Sequence, residues 1–344
     1  MSNIQQIIMN LYPHFSRTGC NAGFAIGLLS LLLSVVPGRA QTPAEINEFR
    51  NTVGNRIEAA TILGGDFGMA GASYKKGSEG NIDLSKFGGW GDIGDPRQFG
   101  DLPIAWQPQL QGEMGYLSAK KDLTTADTFN GQSLDGSQSK FHDFSIQFGG
   151  GPRLWFNDHF SIAPTFMGMY GHTENTFYAR GNAGAVAAQP IAQQEGLVDF
   201  NVDTWTIRPA ADICYIYNWR RTIITLDSTP TYFYTESFHA SNPNIDISGD
   251  SETRMNKIDV DVPLGKDLWG HELRTGGYFS RTEFYGGIKD GLPINHLYEI
   301  HGRVVLDYLN QLWKVQWLGI GGSYLWGNNG FTGYSFGLDV AFRF

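Results

Sequence analysis

The chain closes on Phe331-Thr-Gly-Tyr334-Ser-Phe336-Gly-Leu338-Asp-Val340-Ala-Phe342-Arg-Phe344, and this stretch decides the fold. Tyr334, Phe336, Leu338, Val340, Phe342 and Phe344 take every second position, while Ser335, Gly337, Asp339, Ala341 and Arg343 fill the other parity. In an extended strand successive side chains point to opposite faces, so one face is wholly apolar and the other small or charged. A soluble sheet rarely carries so aromatic a row and stops on it. A strand with hydrocarbon on one side and a wet lumen on the other requires this composition.

A length of 344 residues allows one large or two ordinary domains and does not choose between them. Composition says more. Gly occurs 44 times and aromatics make up 14%, while a mean hydropathy of −0.25 excludes a bundle of membrane helices. Beyond residue 40 no stretch approaches the roughly 18 apolar residues that a spanning helix needs. A transmembrane β-barrel fits both facts, because its alternating strands average out on a hydropathy window.

The one continuous apolar run, Ala22 to Val36, follows Arg17 and precedes Pro37-Gly38-Arg39-Ala40. Basic start, short apolar middle and small residues at Gly38 and Ala40 read as a secretory signal over residues 1–40, cut ahead of Gln41. The run is too short for a comfortable membrane anchor. Cys20 precedes the run, which argues against a lipid-modified cysteine. Cleavage leaves Cys214 without a disulfide partner. It also removes two of the 25 basic residues and none of the 34 acidic ones, leaving a net charge of −11. That balance, with no basic run interleaved with aromatics, excludes nucleic acid as a partner.

Thr42-Pro43-Ala44-Glu45 has an N-cap residue, Pro at the first helical position and Glu three residues on, a capping box. Ile46, Phe49, Val53 and Ile57 follow on one stripe, predicting a helix from Thr42 to about Ala59 within an N-terminal segment 41–60. The stripe fits a surface helix or a helix inside a barrel equally well.

From residue 61 to 344 strands can be laid out to the end, with no further helix-period segment of useful length. Trp106, Pro108, Leu110, Met114 and Tyr116 oppose Gln107, Gln109, Gln111 and Glu113. Phe144, Ile146, Phe148, Leu154 and Phe156 oppose Ser145, Gln147 and Arg153. The code recurs around Phe160–Tyr170, Trp205–Tyr217, Ile224–Tyr234, Ile258–Leu264 and Tyr298–Tyr308. The stretch His271–Tyr285 alternates poorly at Tyr278-Phe279, and Trp313–Trp326 switches parity near Leu318, the mark of a bulge. The count is twelve strands, or ten if the weakly patterned start contributes less. Residues 119–139, 180–197 and 239–251 read as long polar loops, whereas Asn157, Arg220, Gly270 and Gln311 mark tight turns. In outer-membrane barrels short turns face the periplasm and long loops face outward.

The closing strand resembles the C-terminal strand of bacterial outer-membrane barrels. Twelve strands, an N-terminal helix and a final Phe together resemble the translocator barrel of autotransporters, and in particular the solitary autotransporter-type barrels that carry no passenger. The resemblance covers about residues 42–344. It implies an antiparallel up-and-down barrel embedded in outer-membrane lipid after export. It implies recognition of Tyr334, Phe336, Leu338, Val340, Phe342 and Phe344 by the outer-membrane barrel assembly machinery, and a pore occupied by the 42–59 helix. A helix is about 10 to 12 Å across, a width that a twelve-stranded barrel, between the filled eight-stranded and open sixteen-stranded sizes, accommodates. Only about twenty residues separate the signal from the first strand, so no passenger domain is expected in this chain.

Chemistry has little support. His142 and Ser145 are three apart and point to opposite strand faces. G-x-S-x-G, H-E-x-x-H and calcium-loop patterns are missing, and the eight His are scattered, so no catalytic set, metal site or cofactor is expected. The polar parity carries Glu113, Arg153, Arg208, Asp212, Asp227, Asp259, Asp261, Glu299, Arg303, Asp307, Asp339 and Arg343, a mixture of signs that suits a wet or helix-plugged lumen. The functional expectation is an outer-membrane barrel with a non-catalytic, structural or translocator-like role. A small-solute pore and an outer-membrane hydrolase are the alternatives.

Overall fold

Two-residue periodicity becomes long antiparallel strands. A computed structural model of the chain describes residues 69–76, 81–123, 128–129, 132–180, 183–194, 198–245, 247–291, 294–312 and 315–343. The expected signal over 1–40, the 42–59 helix and Phe344 lie outside the described residues, as do the side chains of Asp339, Val340, Phe342 and Arg343. Twelve long strands follow in order: β1 (Met69–Lys76), β2 (Asn81–Asp92), β3 (Ala105–Asp122), β4 (Gln138–Trp155), β5 (Phe160–Tyr178), β6 (Phe200–Trp219), β7 (Thr222–Ala240), β8 (Ser248–Leu268), β9 (His271–Gly286), β10 (His296–Leu312), β11 (Val315–Gly327) and β12 (Phe331–Arg343).

Each strand pairs antiparallel with the next, and β12 pairs back onto β1 from Met69↔Leu338 to Lys76↔Phe331, closing the ring. At the foot of this seam, where the described part of β1 has ended, β12 runs parallel to β2 at Phe342↔Gly91 and Arg343↔Asp92. The up-and-down barrel of twelve strands is therefore as expected. With an even count, β1 begins and β12 ends at the same rim.

That rim also carries the tight turns. Trp269 and Gly270 both have positive φ, at 55° and 81°, the pattern of a two-residue turn whose twist matches its flanking strands. Apart from residues 93–104, which join β2 to β3 at the rim of tight turns, the longer connections gather at the opposite rim, between β3 and β4, β5 and β6, β7 and β8, and β9 and β10. Two of them carry helices, α1 (Ala183–Gln194) and the single-turn α2 (Gly287–Gly291). The expectation of no helix beyond residue 61 is corrected by α1. Its sequence, Ala-Gly-Ala-Val-Ala-Ala-Gln-Pro-Ile-Ala-Gln-Gln, is Ala-rich but has no clean apolar stripe and holds Pro190, so helix propensity is its only sequence signal. Two of the three predicted loops are shorter than expected, because the strands run on beyond the apolar rows into polar sequence: β3 reaches Asp122, β4 starts at Gln138 and β8 starts at Ser248.

The two parities separate cleanly. Leu110, Met114, Tyr116, Ile146, Phe148, Phe166, Tyr215, Ile258, Ile300 and Ile320 are exposed, while their sequence neighbours are buried or half-buried inside the ring. In β12, Phe336 is 68% exposed and is flanked by exposed Tyr334 and Leu338. Irregular stretches obey the same division. Tyr278 turns inward, where its hydroxyl donates to Glu299 Oε1 at 2.8 Å, and Phe279 turns outward, stacked on Tyr298. The parity switch in β11 is a register shift between Val315 and Trp317. An exposed apolar belt of this extent is stable only against hydrocarbon.

Replacing Phe336 by Arg places a charge on the belt, and the folded barrel should lose about 2 to 4 kcal/mol in lipid. Denaturant titration of the refolded protein in vesicles checks this; an unchanged midpoint would remove the outward assignment of β12.

Candidate functional site

The enclosed space of the barrel is the candidate site, and it has two zones. Toward the rim with long connections, inward positions of many strands are apolar: Leu84 of β2, Leu117 of β3, Phe141 of β4, Phe177 of β5, Phe200 of β6, Phe233 of β7, Phe284 of β9, Leu325 of β11 and Phe331 of β12. The connections close over them with Leu123, Leu134, Ala185, Ala192, Ile245, Ile288 and Ile294, all buried in the same cluster. A fully buried side chain of this kind contributes roughly 1.5 to 3 kcal/mol. The barrel mouth is thus filled by a small hydrophobic core.

Polar contacts hold this cover. Asp199, with φ of 52°, accepts hydrogen bonds from the backbone N–H of Phe177 (2.6 Å) and from the amides of Gln189 (2.8 Å) and Gln193 (2.6 Å) on α1. At the C-terminal end of α1, the carbonyls of Gln193 and Gln194 accept from Asn242 Nδ2 at 2.8 and 3.2 Å, and that of Gln194 also from Asn244 Nδ2 at 3.1 Å. These are carbonyls that a helix terminus leaves without partners. The β5–β6 and β7–β8 connections are in this way joined into one unit.

Below the cover the wall is charged and hydrogen-bonded. Glu113 accepts from Gln147 Nε2 at 3.2 Å. Arg153 reaches Asp212 (3.2 Å), Ser161 Oγ (3.2 Å) and Asp92 (3.6 Å). Asp212 also accepts from Thr229 at 3.2 Å, and Asp227 pairs with Lys257 at 3.0 Å. Arg303 forms a two-pronged contact with Asp259, both bonds 2.8 Å, and lies 3.9 Å from Asp261, which pairs with Arg274 Nε at 2.7 Å. Arg208 is buried with its guanidinium at Met167 Sδ, and Asp307 stands opposite Glu272 in the β9–β10 register. Of the twelve charged positions singled out in the sequence, the ten with described side chains lie on this wall: Glu113, Arg153, Arg208, Asp212, Asp227, Asp259, Asp261, Glu299, Arg303 and Asp307. The ion pairs join neighbouring strands, as Asp227–Lys257 and Asp261–Arg274 do, or strands with one between them, as Arg153–Asp212, Arg153–Asp92 and Arg303–Asp259 do, so they run along the wall.

Two features escaped the sequence reading. Lys257 precedes an apolar row and carries no local signal, yet it neutralises Asp227 across the β7–β8 register. Ser323 stands directly opposite His301, with Oγ 2.8 Å from Nδ1, and the imidazole lies flat on Tyr278 at 4.7 Å between ring centres. Cross-strand register brings these residues together, and no local motif announces it. His142 and Ser145 part as expected: His142 contacts the Tyr116 hydroxyl at 2.8 Å on the outer face, and Ser145 is buried inside. Among the described residues no group of three or more His, Cys, Asp or Glu could hold a metal ion.

Comparison with known proteins gives a consistent picture. The sequence model of the solitary outer membrane autotransporter β-barrel domain matches residues 98–334. The fold is similar to that of the transport unit of the autotransporter AIDA-I from Escherichia coli, with a TM-score of 0.54 at 11% identity, covering 86% of this chain and 99% of that one. The translocator domain of the autotransporter NalP from Neisseria meningitidis matches with a TM-score of 0.49 at 11% identity, over 88% of this chain and 97% of that one. No curated protein is similar to the chain in sequence.

The Arg303–Asp259 contact is half-buried, so removing one member leaves a poorly solvated charge. Asp259→Asn should destabilise the barrel by about 1 to 3 kcal/mol, and Asp259→Asn with Arg303→Gln by less than the sum of the single changes. A double-mutant cycle on the midpoint of heat-induced loss of the compact electrophoretic form reads the coupling; strict additivity would show that the pair is not coupled.

Proposed function

This chain belongs to the solitary outer-membrane autotransporter β-barrel family of bacterial outer-membrane proteins, and on that premise we propose that it is a closed, non-catalytic barrel of translocator type. The observation that supports this reading is the hydrophobic core in the barrel mouth, where described residues of the β3–β4, β5–β6 and β7–β8 connections pack in one buried cluster with the inward apolar side chains of the strands. A small-solute pore would need that mouth open.

We assign the remaining lumenal volume to the chain's own N-terminal segment, residues 42–59, entering from the rim of tight turns, where β1 begins. Its charges, Glu45, Glu48, Arg50, Arg56 and Glu58, are of both signs, as are those of the wall, and Ile46, Phe49, Val53 and Ile57 supply an apolar stripe for the underside of the cover. The same reading gives the Tyr334, Phe336, Leu338, Val340, Phe342 and Phe344 row the role of the signal met by the outer-membrane barrel assembly machinery, with membrane lipid as its later neighbour.

In planar bilayers the intact protein should show no steady conductance. Deleting residues 42–59 alone should leave it closed, because the cover remains. Deleting them together with replacement of residues 183–194 by a short Gly/Ser linker should open a steady channel. Steady conductance from the intact protein would sink the proposal in favour of the pore.

The Ser323–His301 pair is the one observation that favours a hydrolase. It lies under the cover, Ser323 is only 7% exposed, and hydroxyl activation also requires a group that orients the imidazole and donors for the oxyanion. The expected result is no labelling of Ser323 by a fluorophosphonate probe and no ester turnover; labelling abolished by Ser323→Ala would make the protein an enzyme.

A further inference from the structure

On the outer face of the barrel, at the rim with long connections, Lys120 of β3 and Lys140 of β4 stand directly opposite each other in the strand register. Like charges in directly opposed positions destabilise a sheet. The next turn of chain adds a third cation: Arg180 lies just beyond the end of β5, its guanidinium 5.8 Å from the centre of the Tyr178 ring, and Lys140 Nζ is 5.0 Å from the centre of the same ring. One exposed tyrosine thus gathers two cations beside a third. The carboxylate at hand is Asp122, 3.6 Å from Lys120. Asp83 and Glu174 lie one rung lower, opposite Ser118 and His142, and neither forms an ion pair with these three cations.

The height of the group identifies its counterpart. Lys120 is four residues along β3 from Tyr116, or roughly 13 Å of strand, and Tyr116, Met114 and Leu110 below it belong to the lipid-facing belt. Tyr116 with His142 forms the polar-tipped aromatic row that marks a membrane interface. Lys120, Lys140 and Arg180 therefore sit just above the hydrocarbon, at headgroup level, on the rim that faces the cell exterior. Juxtaposed Lys and Arg at that level recognise anionic headgroups, and phosphate is the group that Lys and Arg bind together with the strongest charge-assisted hydrogen bonds.

We propose that Lys120, Lys140, Arg180 and Tyr178 form a binding site for the phosphate of a phosphorylated glycolipid in the outer leaflet. The lipid phosphate lies between the two lysines and removes the repulsion that the strand register imposes on them. The site is independent of how the lumen is filled.

The test uses the full-length protein in neutral detergent, with native mass spectrometry to read binding of diphosphorylated lipid A, the same lipid stripped of phosphate, and inorganic phosphate. The wild type should bind the phosphorylated lipid at least tenfold more tightly than the stripped one, and Lys120→Gln with Lys140→Gln should abolish the preference. Inorganic phosphate at equal concentration should not compete. Equal binding of both lipids, an unchanged preference in the double variant, or full competition by inorganic phosphate overturns the proposal. Thermal midpoints separate binding from a merely structural role: Lys120→Gln should raise the midpoint in lipid-free detergent, where like-charge repulsion is relieved, and lower it when the phosphorylated lipid is present. A shift of the same sign in both conditions refutes the site.

Discussion

Backbone hydrogen bonding in hydrocarbon is the constraint from which the rest of this structure follows. An N–H or C=O without a partner in lipid costs several kcal/mol, and a sheet has such groups along both of its edges. Pairing β12 with β1 over eight residues removes those edges. The β12–β2 contact at Phe342 and Arg343 continues the pairing where the described part of β1 stops. Closure in turn defines an inside and an outside, and the described side chains of the strands divide between them.

Inside, the two zones solve different problems. Charges on the wall are tolerable because they meet opposite charges one or two strands away, as Lys257 meets Asp227 on the adjoining strand and Arg303 of β10 meets Asp259 of β8 across β9. The cover does not depend on charge. It buries Phe141, Phe177, Phe200 and Phe233 beneath loops whose ends are tied by Asp199 and by the Asn242 and Asn244 amides. A barrel can be apolar at one mouth and polar below it because inward positions of the same strands change character along their length. Phe141 and Gln147 lie on one face of β4, six residues apart.

Outside, the apolar belt gives way at the rim of long connections to a polar zone of Lys120, Lys140, His142, His172 and Asp203. His172 and His239 both contact the Asp203 carboxylate, at 2.6 and 3.1 Å, and Tyr170 donates to it at 2.9 Å. This collar adapts the barrel to a headgroup region, where polar side chains and rings meet lipid and water together.

Face assignment was legible in the residues alone: a period of two separates Phe336 from Ser335 and Met114 from Glu113 whatever the neighbouring strands do, because each Cβ direction is set within its own strand. The same local rule located the strands, the tight turns and the charged wall. It failed where structure depends on chain segments distant in sequence. The hydrophobic cover draws on residues from Leu84 to Phe331, and α1 is held by an aspartate after it and by asparagines in another loop. The Ser323–His301 and Lys120–Lys140 pairs exist only because strands align in one register. Register and loop docking are cooperative properties of the closed ring, and no window of sequence contains them.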